Sequence, residues 1–193
     1  ICACLVGSEM CIRDRCGTQE KNSGNMAVSD TMDVEKITDK SDHCGKITGI
    51  DGSGRGVDAD NADTVTEENL AQHISNAKML SKKLQTIVAI TGAIDLVTDG
   101  SSCYVIRNGN PQMGHVTGAG CQLSGILTAF LAANPENKLQ AAAAAVCMMG
   151  YAGELAAEKS GQSGSGTYRV SLMDAVSCMD GDILERGARY EIR

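Results

Sequence analysis

The sequence predicts an α/β fold in which helices pack against a sheet that contains a buried strand. Three observations carry this prediction: an amphipathic helical pattern comes first, a continuous apolar run and a hairpin signal follow, and the remaining chain shows mostly helical periodicity. With 193 residues, the chain is long enough for one domain with a sizeable core. Because only 3% of the residues are aromatic, aliphatic side chains must build that core.

The first predicted helix runs from Thr66 to Leu84. Thr66 is a suitable N-cap residue, and Lys82 and Lys83 are favourably charged for the last turn. Apolar side chains recur at helical spacing, which predicts one buried face formed by Leu70, Ile74, Ala77 and Leu80.

A sheet is predicted directly after this helix. The apolar, β-branched run Thr86–Thr91 is typical of a central strand covered on both faces. The segments Ile94–Thr98 and Ser102–Arg107 flank Asp99–Gly100, a strong hairpin signal. Asp58 and Asp95 lie beside strand-like runs, where a bound ligand could sit near them, but we expect them to be solvated turn carboxylates.

Three more helices are predicted, over about 120–133, 137–159 and 171–185, with a loop at Ser163–Gly166 between the last two. The nearly apolar run Leu139–Ala157 is dominated by Ala and Gly and contains Gln140 and Glu154. We therefore predict a buried core helix in that run and not a membrane span.

Composition excludes several classes of partner. The net charge is −7 and the basic residues are scattered, which argues against binding to nucleic acid or to an anionic membrane. The nine cysteines are irregularly spaced, which favours free thiols in a reducing cytoplasm. Three of them lie inside apolar patterns and are expected to act as small hydrophobic residues: Cys103, Cys147 and Cys178.

The N-terminal region differs from the rest. We expect residues 1–25 to be a non-native or disordered segment and residues 26–193 to form the domain. Ile1–Arg15 in particular resembles a cloning remnant more than a natural protein segment. The cysteines of this region are Cys2, Cys4, Cys11 and Cys16. They lack the paired spacing of a zinc site, and the sequence does not identify any metal ligand.

The segment Val116–Cys121 predicts an anion-binding turn. It is rich in glycine and opens an amphipathic helix whose apolar face is Leu123, Ile126, Leu127, Phe130 and Leu131. Backbone N–H groups at a helix start lack partners within the helix and carry partial positive charge. We therefore predict an anion hole, suited to phosphoryl transfer, at Gly118, Ala119, Gly120 and Cys121.

Five segments in consistent order resemble the hydroxyethylthiazole kinase family: Gly54–Asp58, Ala89–Asp95, Val116–Cys121, Gly153–Ala157 and Tyr168–Ala175. The resemblance implies a ribokinase-like α/β/α sandwich and transfer of the ATP γ-phosphate to the hydroxyl of 4-methyl-5-(2-hydroxyethyl)thiazole, a step of thiamine salvage. It also implies dependence on Mg²⁺ and a homotrimer with active sites between subunits.

The resemblance also assigns roles to three residues. Thr91 matches the threonine that contacts ATP, and Gly118 matches a residue that lines the thiazole site. Cys121 stands where most ribokinase-like enzymes have an aspartate base. Because a helix start favours the thiolate form of cysteine, such a side chain is able to accept the proton of the substrate alcohol.

Departures from the family pattern leave two alternatives open. The family has a longer N-terminal part, and its Arg-Gly-Asn-x-Ser-Glu motif corresponds at best to Ser23–Val28, without the Arg and the Glu. The chain is either a small-molecule kinase or a truncated, inactive remnant that acts only as an interaction or oligomerisation partner. A hydrolase with Cys121 as nucleophile ranks last, because the sequence offers no suitable His–acid pair.

Overall fold

A computed structural model of the protein describes residues 65–193 together with the backbone of residues 3–6. The strands of this part are β1 (Ala3–Val6), β2 (Ile87–Ile90), β3 (Asp95–Thr98), β4 (Cys103–Ile106) and β5 (Tyr190–Ile192). The helices are α1 (Leu70–Leu84), α2 (Ala119–Ala133), α3 (Lys138–Ser160), α4 (Ser165–Ser177) and α5 (Gly181–Gly187), with a 3₁₀ helix at Pro111–His115.

The strands form one antiparallel sheet in the order β1-β2-β3-β4-β5. The prediction of an interior strand at Thr86–Thr91 is confirmed, because β2 pairs with β1 on one side and β3 on the other. The predicted hairpin is also confirmed: Thr98 pairs with Cys103 across the turn. The short strand β5 was not predicted, since three residues are too few to establish an alternating pattern.

Helices cover both faces of this sheet, which confirms the predicted α/β fold. Side chains along β4 alternate between two apolar clusters: Cys103 and Val105 pack with α1, whereas Tyr104 and Ile106 pack with α2, α3 and α4. This alternation follows from the pleat of a strand, which sends successive side chains to opposite faces. The result is two layers of core, one on each side of the sheet.

Helix α1 begins four residues later than predicted. Its N-cap is Asn69, and the Asn69 side chain accepts a hydrogen bond from the Thr66 N–H at 2.7 Å. The prediction of Thr66 as the cap was therefore wrong, because the preceding residues form a turn outside the helix. Lys82 and Lys83 lie in the last turn, and the predicted apolar face is buried, as expected.

The C-terminal helices differ most from the prediction. The single helix expected at 171–185 is two helices, α4 and α5, and α4 already begins at Ser165 within the expected loop. Asp180 separates them because its side chain caps α5 by accepting the Ile183 N–H at 2.7 Å. Cys178 lies in this break and is exposed, so its expected role as a buried residue was wrong.

Helix α3 is the core helix that the apolar run predicted. By length and composition it is the one helix in residues 65–193 that is able to cross a membrane. However, 67% of its most apolar stretch is buried within the fold. It packs across β2, β3 and β4. A Cβ atom added at Gly150 would lie 2.6 Å from the backbone oxygen of Asn108, so this glycine permits close approach between α3 and the segment after β4.

Candidate functional site

One edge of the sheet carries two of the residues that the sequence singled out, Thr91 and Asp95. At this edge β2 ends, β3 begins at Asp95, and β4 ends at Ile106, which is paired with Asp95. Thr91 follows β2 directly. From β4 the chain passes through the 3₁₀ helix to Val116, whose side chain packs in the same cluster as Ala89 of β2. Ala89, two residues before Thr91, and Val116, two residues before Gly118, therefore pack on the same face of the sheet.

The glycine turn adopts a well-defined helix start. Gly118 is the N-cap of α2 with φ of 90°, a left-handed conformation that favours glycine. The Gln122 N–H donates to the Gly118 carbonyl at 3.0 Å, whereas the Ala119 N–H donates to the Val116 carbonyl at 3.2 Å. Because the Ala119 amide is engaged within the turn, the helix-start donors best placed for an external anion are Gly120 and Cys121.

This helix start is open to a ligand. A Cβ atom built at Gly118 or at Gly120 would meet no described atom within 4 Å. The Cys121 thiol, one residue further along, is exposed. The glycine backbone is therefore accessible, and the thiol lies at the border of the accessible region.

An apolar groove of about 320 Å³ runs beside α2, between this helix and α4. Its lining residues are Gln122, Gly125, Ile126, Ala129, Met173 and Val176. Gly125 lies one turn beyond Cys121 on the same side of the helix. The groove thus places an apolar surface within one helical turn of the thiol.

The turn after β2 contains a buried carboxyl that the sequence analysis misjudged. Asp95 accepts the Gly92 N–H at 2.8 Å and is only 8% exposed. Burial raises the pKa of Asp95 from its ordinary value of 3.8 to about 7, against the opposing effect of the Gly92 hydrogen bond. The expectation of a solvated turn carboxylate was therefore wrong for Asp95. Asp58 lies outside the described residues.

A polar network at the same edge was also missed. The buried Asn108 side chain donates to a Glu154 carboxylate oxygen at 3.0 Å and to the Gly187 carbonyl at 2.9 Å. Its oxygen accepts the Arg189 N–H at 2.7 Å and the Cys147 thiol at 3.1 Å. Glu154 also binds the Arg189 guanidinium through both carboxylate oxygens, at 2.8 and 3.1 Å. The one sequence signal was the single carboxylate, Glu154, within the nearly apolar run Leu139–Ala157.

Candidate metal ligands do not cluster in this part of the chain. Among the described residues, no group of three or more His, Cys, Asp or Glu side chains is arranged to hold an ion. Several segments named above lie outside the described residues: Gly54–Asp58, Ser23–Val28, Cys2, Cys11 and Cys16. The division at residue 25 remains a prediction.

Comparisons with known proteins agree on one family. The family profile described as "Hydroxyethylthiazole kinase family" matches residues 18–182. A protein of Clostridium acetobutylicum named "Hydroxyethylthiazole kinase" is 46% identical over 141 residues, which cover 72% of this chain and 52% of that protein. A protein of the same name from Ruminiclostridium cellulolyticum is 32% identical over 169 residues, covering 88% of this chain and 60% of the relative.

A solved structure extends the likeness to the fold. The hydroxyethylthiazole kinase protein of Pyrococcus horikoshii OT3 superposes with a TM-score of 0.59 at 28% identity, covering 66% of this chain and 48% of the other. The chain thus spans about half to three-fifths of the length of these relatives. Because the family profile covers residues 18–182 of 193, the chain belongs to the hydroxyethylthiazole kinase family.

Proposed function

We propose that the protein phosphorylates the hydroxyl group of 4-methyl-5-(2-hydroxyethyl)thiazole with ATP, in the cytoplasm, as a step of thiamine salvage. The observation that carries this proposal is the open glycine backbone at the start of α2, bordered by an exposed thiol, in a chain that belongs to this family. Such a helix start suits the charge that develops on a phosphoryl group during transfer.

In the proposed reaction, Cys121 is the catalytic base. Its thiolate takes the proton of the substrate alcohol while the alcohol oxygen forms a bond to the γ-phosphorus of ATP. The bond from that phosphorus to the bridging oxygen breaks, and ADP leaves with the electron pair. The N–H groups of Gly120 and Cys121 stabilise the charge on the phosphoryl oxygens, and the partial positive charge of the helix start acts in the same direction.

Other residues hold the two substrates. Thr91 contacts ATP from the end of β2, and Gly118 lines the thiazole site, where its lack of a side chain leaves room for the ring. The apolar groove beside α2 supports binding of a small, largely apolar molecule next to the thiol. We further propose a homotrimer and a Mg²⁺ ion bound with ATP. Mg²⁺ at kinase sites is held largely by substrate phosphates and water, which does not require a dedicated cluster of protein ligands.

The test is ATP-dependent phosphorylation of the thiazole alcohol by the purified protein. Product formation is measured by mass spectrometry and ADP release by a coupled assay. We expect Cys121→Ala to lower kcat by about 100-fold or more, the usual range for a lost general base. Calorimetric ATP binding should change little in this variant, because the thiol acts on the alcohol and not on the nucleotide.

The same assay distinguishes the alternative of an inactive remnant. That alternative predicts neither turnover nor ATP binding by the wild-type protein. An unchanged kcat in Cys121→Ala, with turnover present in the wild type, would instead leave the kinase activity intact and remove Cys121 as its base. The hydrolase alternative requires rapid acylation of Cys121 by an activated ester, and the absence of a burst would exclude it.

A further inference from the structure

Two acidic residues flank strand β3, and they differ sharply in environment. Asp99 follows the strand and is exposed, and its side chain accepts the N–H groups of Ser101 and Ser102, both at 2.9 Å, and the Ser101 hydroxyl at 2.7 Å. Asp95 begins the strand and is only 8% exposed. Within the described residues, the one hydrogen bond that its carboxyl accepts comes from the Gly92 N–H, at 2.8 Å.

The surroundings of Asp95 make this carboxyl costly to the fold. Alternation along β3 puts Asp95 on the same face as Val97, which belongs to the apolar cluster beneath α2, α3 and α4. Burial raises the pKa of the Cys147 thiol of α3, and the charge of Asp95 acts more weakly in the same direction. A buried carboxyl with few partners destabilises a protein, since desolvation is only partly offset by one hydrogen bond.

The position of the single partner suggests what the carboxyl does. Gly92 directly follows Thr91, so the hydrogen bond ties the start of β3 to the first peptide after the proposed ATP contact. A Cβ atom added at Gly92 would meet only the Ile94 carbonyl, at 3.9 Å, so few atoms pack around this first part of the turn, whereas the buried side chain of Ile94 anchors its other end. The Asp95 carboxyl is then the described side chain that holds the Gly92 peptide, next to Thr91.

We propose that Asp95 is a positioning residue for nucleotide binding, which holds the Gly92 amide and thereby orients Thr91 toward ATP. This inference rests on the proposed function, in which Thr91 contacts ATP. Asp95 itself does not touch the nucleotide. It acts through the turn, and its effect is therefore expected on ATP affinity and not on the rate of phosphoryl transfer.

Calorimetric titration with ATP and magnesium tests the role directly. Asp95→Ala removes the acceptor, and we expect the Kd for ATP to rise about tenfold, the range for loss of one hydrogen bond that positions a contact. Asp95→Asn keeps a side-chain oxygen that accepts the Gly92 N–H, and its Kd should stay within about twofold of wild type. In kinetics, Asp95→Ala should raise KM for ATP while kcat and KM for the thiazole stay nearly constant.

Asp99→Ala is the matched control. It also removes a turn carboxylate from an end of β3, but at the opposite edge of the sheet, so stability falls while the Kd for ATP stays unchanged. If Asp95→Ala does not fold, Asp95→Leu keeps the branched shape, with methyl groups in place of the two carboxylate oxygens and no acceptor, and should show the same weakened binding.

The outcomes separate the two proposals. Wild-type protein that fails to bind ATP would overturn the proposed function and the role of Asp95 with it. Wild-type protein that binds ATP, with Asp95→Ala or Asp95→Leu binding equally well, would overturn the role of Asp95 alone. Loss of affinity in Asp95→Asn as large as in Asp95→Ala would also contradict it, because the hydrogen-bond acceptor is retained.

Discussion

Gly120 is the residue whose missing side chain bears most directly on the proposed site. It lies in the first turn of α2, where an added Cβ atom would meet no described atom within 4 Å. Alanine is favoured over glycine inside a helix. A methyl group at this position therefore costs the fold nothing, while it occupies the space that a bound phosphoryl group would need.

We expect Gly120→Ala to lower kcat/KM for ATP-dependent phosphorylation by about 100-fold, comparable to the loss of an oxyanion donor. Its thermal midpoint should equal or exceed that of the wild type. Gly166→Ala is the control, because Gly166 is the second residue of α4, as Gly120 is of α2, and an added Cβ atom there would also meet no described atom within 4 Å. Normal activity in Gly120→Ala would show that phosphate does not approach this backbone.

Asp95 gives the protein a predictable dependence of stability on pH. Its pKa is raised to about 7 in the folded protein, whereas it is near 3.8 when unfolded, so the folded state binds the proton more tightly. Stability contributed by this proton is fully present below about pH 4 and is lost as the pH rises toward about 7. The neutral side chain introduced by Asp95→Asn does not titrate, so this variant does not lose that stability as the pH rises.

We therefore expect Asp95→Asn to be more stable than wild type at about pH 8, and the difference to shrink at about pH 5 by on the order of 2 kcal/mol. Urea unfolding of both proteins across this range measures it. Asp99→Asn, changed in the same way at an exposed position, should not show this pattern. A difference between Asp95→Asn and wild type that is constant with pH would contradict the raised pKa.

At the scale of single residues, the sequence predicted burial correctly for residues inside regular elements and incorrectly for residues at the ends of these elements. Cys103 and Cys147 lie within a strand and a helix and are buried, as expected. Cys178 and Asp95 lie at the ends of elements, and both predictions were wrong there. Periodicity indicates which face of an element is apolar, but it does not indicate what covers the end of that element.

Among the secondary-structure elements, α3 makes a close contact with the backbone of the segment after β4. Gly150 lets the helix approach the segment after β4 so closely that a Cβ atom would lie 2.6 Å from the Asn108 backbone oxygen and 2.8 Å from its Cβ. Asn108 is held in place by hydrogen bonds of its side chain to Glu154, Gly187, Arg189 and Cys147, so a side chain at position 150 must displace the helix.

We expect Gly150→Ala to lower the free energy of unfolding by about 1 to 3 kcal/mol, the usual cost of overpacking a core. Gly125→Ala makes the same chemical change in an open part of α2 and should stabilise by up to about 1 kcal/mol. Denaturant unfolding of both variants gives the comparison. Equal stability of Gly150→Ala and wild type would mean that α3 and the segment after β4 separate without cost.

Element boundaries were predictable where the apolar period was long. Helices α2 and α3 begin and end within one residue of the prediction, because each has several turns of consistent pattern. The boundaries in the region 165–187 were not predictable, since its apolar spacing continues across the break between α4 and α5. The break is marked only by the Asp180 side chain, which caps α5. Likewise Asn69, and not Thr66, occupies the N-cap position of α1, because the intervening residues form a turn. In that turn Glu67 pairs with Arg107 at 2.8 Å.

For the whole molecule, the network of Asn108, Glu154 and Arg189 joins distant parts of the chain. Asn108 follows β4, Glu154 belongs to α3, and Arg189 precedes β5, the C-terminal edge strand. The Glu154 carboxylate accepts hydrogen bonds from both of the other side chains and from the Gly109 N–H at 2.8 Å. These bonds hold the last strand against the rest of the fold.

We expect Glu154→Ala to lower the free energy of unfolding by about 2 kcal/mol, because several charge-assisted hydrogen bonds are lost at once. The amides of Tyr190–Ile192 should also exchange with solvent faster than in the wild type. Glu158→Ala is the control, since Glu158 is an exposed carboxylate four residues further along the same helix. Unchanged amide exchange at β5 in Glu154→Ala would show that pairing with β4 is sufficient to hold this strand in place.

The sequence by itself determined the α/β class, the main helices, the interior strand with its hairpin, and the glycine turn that opens α2. Each of these depends on local periodicity or on a short motif, and both are present in a continuous stretch of chain. Tertiary structure alone decided the burial of Asp95, the network around Asn108, and the pairing of β5. The network and the strand pairing join residues as distant as Tyr104 and Ile192, and only the folded backbone brings such residues together.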